Sequence, residues 1–96
     1  MGVETPQKEE KMTFRERISE INPEALLLPE NYDNALMGYI NQWNAPTVAA
    51  YSSEKIVRVL QQDGLSYEDA YEYYEFNIAG AYLGENTPLF LHMEET

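Results

Sequence analysis

The chain has no cysteine. Disulfides, thiolate nucleophiles and cysteine-ligated zinc or iron–sulfur centres are thereby excluded, and stability must come from packing. His92 is the only histidine. A metal site would have to be built from carboxylates, and no Asp-x-Asp-x-Asp-Gly calcium loop is present. The glycine-rich phosphate and dinucleotide motifs and the nucleophile elbow are missing too. Glu72 and Glu75 make a nominal acid/base pair. Adjacent turns of an exposed helix do not supply the burial that splits carboxylate pKa values. The expectation is a protein that is not an enzyme and holds no metal or cofactor.

No apolar run approaches the roughly 20 residues that span a bilayer. The first residues, Met1 to Pro6, lack the basic and apolar regions of a signal peptide, and Pro6 stands where myristoylation needs Ser or Thr. A cytoplasmic protein with no membrane contact is expected. The third scarcity is positive charge. The 96 residues carry 17 Asp and Glu against 6 Lys and Arg, a formal net charge of −11. Every basic residue lies at or before Arg58, and the eight acidic residues from Asp63 onward have no basic neighbour in the chain. Direct nucleic-acid binding, which needs cations to displace counterions from phosphate, is disfavoured, as is binding to anionic lipid.

Against these absences stands enough apolar material for one small core, at 44% hydrophobic and 12% aromatic residues. A chain of this length is marginal by surface-to-volume reasoning, so association with itself or a partner is expected. Residues 1–11 are polar and aperiodic and read as a flexible tail, which leaves 12–96 as a single domain. Thr13-Phe14-Arg15-Glu16 has the form of a capping box. Phe14, Ile18 and Ile21 follow as one apolar stripe, and Asn22-Pro23 stops the helix.

The segment 24–28 admits either a helical turn or a buried strand. Glu30–Asn34 reads as a turn. Gly38 tilts 35–40 toward a strand, 41–46 reads as a loop, and 47–51 is a second strand. Ser52 or Ser53 caps a helix over 53–63 that Asp63-Gly64 closes. Ser66 opens another over 67–83, with Gly84 as its C-cap. Leu89–Leu91 is a last strand. The expected architecture is α+β, a short and mainly antiparallel sheet covered by two or three helices. Whether 47–51 and 89–91 run parallel stays open.

At about 100° per residue the helix 67–83 sorts into faces. Tyr67, Ala70, Tyr71, Tyr74, Ile78 and Ala81 share the apolar side, with Tyr82 at its margin. Glu68, Glu72 and Glu75 line the opposite side, with Asp69 nearby. Tyr73 and Phe76 join neither. They either pack under the N-terminal segment or a loop, or form an interface with Asp69 and Glu72, since aromatics are enriched at binding surfaces. The acidic residues Glu68, Glu72, Glu75 and Glu85 have two readings as well: a solubilising surface, or an imitation of a nucleic-acid backbone aimed at a basic protein groove.

Four short motifs occur in order: 33–38 (Asp33-Asn34-Ala35-Leu36-Met37-Gly38), 64–70 (Gly64-Leu65-Ser66-Tyr67-Glu68-Asp69-Ala70), 75–84 (from Glu75-Phe76-Asn77-Ile78 to Gly84) and Thr87-Pro88. This set resembles a family of small proteins of uncharacterised function that is widespread in tailed bacteriophages. The resemblance spans about residues 30–91. It implies a phage or prophage origin, a place in the host cytoplasm, and a role in binding and modulating a host protein. It carries no catalytic or binding residues. The alternatives are a DNA mimic that inhibits a nucleic-acid-binding host protein, and a self-associating structural protein without a foreign partner.

Overall fold

The computed structural model describes residues 12–93; the expected tail over 1–11 and the last three residues lie outside that range. In chain order the elements are α1 (Phe14–Ile21), a 3-10 segment (Glu30–Ala35), β1 (Leu36–Gln42), β2 (Ala45–Ser52), α2 (Ser53–Gln62), α3 (Tyr67–Tyr73), a π-helical segment (Tyr74–Ala79) and β3 (Leu89–Leu91). The fold is α+β. Among the described residues the sheet has three strands in the order β1-β2-β3. It is mixed: β1 and β2 form an antiparallel hairpin, while β3 lies parallel to β2. The parallel pairing needs a crossover, and the two intervening helices supply it by carrying the chain back from the end of the sheet where β2 finishes, so that β3 runs in the same direction as β2.

Local chemistry sets the helix starts. The Thr13 hydroxyl accepts from the Glu16 amide, and the Glu16 carboxylate accepts from the Thr13 amide, completing the capping box. Ser52 caps α2 by accepting from the Lys55 amide, and Ser66 caps α3 by accepting from the Asp69 amide. Each such cap is worth about 1 kcal/mol. At the far end of α2, Asp63 is the C-cap and Gly64 takes φ +112°, a conformation that side chains resist.

β2 is the axis of the molecule, buried continuously from Val48 to Ser52. On one face Ala49 and Tyr51 meet Ile18 of α1, Ile56 and Leu60 of α2, and Tyr74. Tyr51 is fully buried, its ring stacked on Phe90 at 6.2 Å, and its hydroxyl accepts from the Leu28 amide at 2.9 Å. The segment 24–28 is neither the helical turn nor the strand that its composition allows. Its backbone donors are claimed singly, Ala25 by the Asn22 carbonyl, Leu26 by the Asn86 carbonyl and Leu28 by Tyr51. No ladder can form, and the segment becomes a strap across the core. Arg15 holds the strap from outside, donating to the Leu28 carbonyl and pairing with Asp33.

Three further expectations are corrected. The loop expected over 41–46 shrinks to Trp43 and Asn44, with Asn44 at φ 59°, because Gln42 pairs with Ala45 across the hairpin. The helix expected over 67–83 stops being α-helical at Tyr73, widens through the π segment and ends at Gly80. A Cβ on residue 80 would lie 2.8 Å from the Glu75 carbonyl oxygen, so only glycine lets the chain close the wide turn. Gly84 therefore caps no helix; it opens a separate turn in which its carbonyl accepts from the Thr87 hydroxyl and amide. The early end also takes Ala81 off the apolar side and leaves it exposed; separately, Tyr67, in the first turn, is 57% exposed rather than buried.

Two substitutions test these placements by urea denaturation. Gly80→Ala should lower unfolding stability by about 1–3 kcal/mol, the usual cost of forcing an atom into occupied space. An unchanged midpoint would mean that the helix does not end there. Tyr51→Phe should cost about 1–3 kcal/mol by leaving the Leu28 amide without its acceptor.

Candidate functional site

The inner side of α3 and the π segment is locked by a chain of aromatic rings. Tyr67 meets Tyr71 at 6.0 Å, Tyr71 meets Tyr74 edge-on at 6.0 Å, and Tyr74 meets Phe90 edge-on at 5.7 Å. Ala70 and Tyr74 are buried, and Tyr71 and Ile78 are partly so. Edge-to-face pairs of this kind add about 0.5–1.5 kcal/mol each beyond the area they bury.

The outer side of the same helix carries the four residues singled out for an interface. Asp69 and Glu72 are exposed, Tyr73 is 46% exposed and Phe76 is 72% exposed. Among the described residues the Phe76 ring is largely uncovered, whereas Tyr73 is half covered and lies near enough to Tyr32 of the 3-10 segment to interact with it. The change of helix type sets the position of Phe76. At about 100° per residue through α3, Asp69 and Glu72 point away from Ala70 and Tyr74, and Tyr73 lies at the flank. The wider π turn advances the chain by a smaller angle per residue, which leaves Phe76 above Glu72. A π turn inside a helix is uncommon and recurs at functional sites.

The residues considered for nucleic-acid mimicry are dispersed. Glu68, Glu72 and Glu75 are exposed along the helix, whereas Glu85 is exposed in the turn that follows it. Residues that helix periodicity could not single out join the exposed apolar surface. Tyr82 and Leu83 are 75% and 70% exposed because the helix ends before them, and Trp43 is 90% exposed at the hairpin tip. Between the strap and the π segment lies an apolar cleft of about 200 Å³, lined by Leu26, Leu28, Ile78, Ala81, Leu83 and Pro88. It is smaller than the sites that usually enclose a drug-sized ligand.

A second cluster has no sequence signal, since its members are 39 residues apart. The Ser53 hydroxyl, buried at the start of α2, lies 3.0 Å from His92 Nδ1 just beyond β3. Glu54 Oε1 accepts from Ser53 and from the Met93 amide, each at 3.3 Å. Burial opposes ionisation of Glu54, but those donors and its own amide outweigh it and hold the carboxyl below its ordinary range. A serine nucleophile would need its hydroxyl open to substrate and the carboxylate on the imidazole. Here the hydroxyl is buried and the carboxylate touches the serine, so the cluster ties β3 to α2. The Tyr74 hydroxyl is buried beside it without a well-formed hydrogen bond. Burial pushes its pKa up to about 12, although nearby Ser53 moderates the rise. Among the described residues no group of three or more His, Asp and Glu could hold a metal ion, and no helix is long and apolar enough to cross a membrane. No protein-family model matches the chain, and no curated protein or solved structure is similar to it.

The tyrosines give a pH prediction. Tyr32, Tyr51 and Tyr74 all have pKa values raised by burial. Their contribution to stability is complete below the unfolded-state value near 10 and is lost as pH rises through the raised folded-state values, about 12 for Tyr74. Alkaline unfolding followed by tyrosinate absorbance should therefore begin above about pH 10. Tyr74→Phe should shift that onset upward and leave stability at pH 7 nearly unchanged, since the lost hydroxyl has no good partner.

Proposed function

We propose that this is a small accessory protein, phage-encoded, that works in the host cytoplasm by binding one protein partner stoichiometrically, and that Asp69, Glu72, Tyr73 and Phe76 form the docking face. The observation that carries this reading is the exposure of two aromatic rings among carboxylates on a helix whose inner side is locked. Large rings cost little entropy to immobilise, and a rigid backing removes the ordering that binding otherwise requires. The motifs that resemble the phage family support the setting. Imitation of nucleic acid would use charge alone, and the rings between the carboxylates favour a face that also buries apolar area.

Phe76→Ala separates the readings. At 72% exposure its removal should change folding stability by less than about 0.5 kcal/mol, while an interface anchor typically costs about 2 kcal/mol or more of binding. The full chain and the variant are used as bait in bacterial lysate, beside sedimentation over a concentration series. The expected result is a partner retained by the native chain in fixed ratio, and still retained at raised salt, but lost from the variant. Equal capture by both would overturn the assignment of the face. Concentration-dependent assembly with no foreign partner would make the protein self-associating, and loss of all binding at raised salt would favour mimicry.

A further inference from the structure

We infer that the segment this face takes is arginine-bearing, with guanidinium groups stacked on Tyr73 and Phe76 and paired with Asp69 and Glu72; the inference rests on the protein-binding reading above. Asp69 precedes Tyr73 by four residues and Glu72 precedes Phe76 by four, so each carboxylate lies one helical turn from a ring on the same side. Phe76 is 72% exposed, Tyr73 presents about half of its surface at 46%, and both carboxylates are exposed. A planar guanidinium can lie on a ring and still direct its N–H edge sideways to a carboxylate. A lysine ammonium is a compact, strongly hydrated point charge and gains less from the ring. The charge is complementary: Glu68 and Glu75 are exposed on the same stretch of helix and flank the four residues. An apolar partner surface would leave these carboxylates desolvated and unpaired, which disfavours it.

The test uses the full chain and two synthetic peptides of about 12 residues, identical except that one carries arginine wherever the other carries lysine. Affinities are measured by calorimetry at about 0.15 M salt, and ring proton shifts are followed by NMR. The arginine peptide should bind about three- to tenfold more tightly than the lysine peptide and shift the Tyr73 and Phe76 ring protons upfield or downfield in a saturable way. Tyr73→Leu with Phe76→Leu should reduce the arginine peptide to the lysine level and leave the lysine affinity unchanged. Asp69→Asn with Glu72→Gln should weaken both. Equal affinities for the two peptides, or ring signals that do not respond, would overturn the inference. The ring signals of the unmodified protein distinguish these outcomes even if a variant folds poorly. If a captured partner is lost on Phe76→Ala while the peptides bind equally, the arginine inference fails and the protein-binding reading stands. If arginine is preferred but Phe76→Ala retains every captured protein, the protein-binding reading fails.

Discussion

The molecule depends on one buried side chain. Tyr51 sits at the centre of the middle strand, fully enclosed, with its ring on Phe90 and its hydroxyl on the Leu28 amide. That placement couples three parts of the chain that are far apart in sequence. The hydroxyl fixes the strap over 24–28, the ring fixes β3, and the strand's inner face packs against α1 and α2. A small domain has little core to spare, so a residue that satisfies packing and hydrogen bonding together has unusual weight. Arg15 reinforces the arrangement from the surface, where its pairing with Asp33 raises its pKa and closes the strap over the tyrosine.

From Phe90 the aromatic contacts run outward through Tyr74 and Tyr71 to Tyr67. They hold one side of α3 and the π segment against the sheet, which decides what the other side presents. The Ser53–His92 contact adds a polar tie at the end of β3. The outer face is thus displayed by a helix that cannot easily roll. This rigid backing is what the proposed docking role of Tyr73 and Phe76 rests on.

The charge distribution and the aromatic face act together. A net charge of −11 adds repulsion between copies of the chain, which opposes indiscriminate association through exposed rings that lie among carboxylates. In the docking role proposed above, the same carboxylates would steer cationic partners toward those rings. Selectivity would then come from two weak terms acting at one place.

Much of this was legible in the residues themselves. The capping hydroxyls of Thr13, Ser66 and one of the Ser52-Ser53 pair, the stops at Asn22-Pro23 and Asp63-Gly64, and the three strand segments are local signals, written in side chains that bond their own backbone or pattern their own burial. The separation of Tyr73 and Phe76 from the apolar stripe was equally visible from helix periodicity. What only the tertiary structure decided are the features whose partners are distant. The strap is irregular because its amides are taken by Tyr51, Asn22 and Asn86. The parallel register of β3 follows from where two helices return the chain, and Ser53 meets His92 across 39 residues. The helix ends at Gly80 rather than Gly84 because Glu75's carbonyl leaves no room for a side chain once the turn has widened. Periodicity assumes a uniform helix, and a π turn breaks that assumption for reasons no window of neighbouring residues contains.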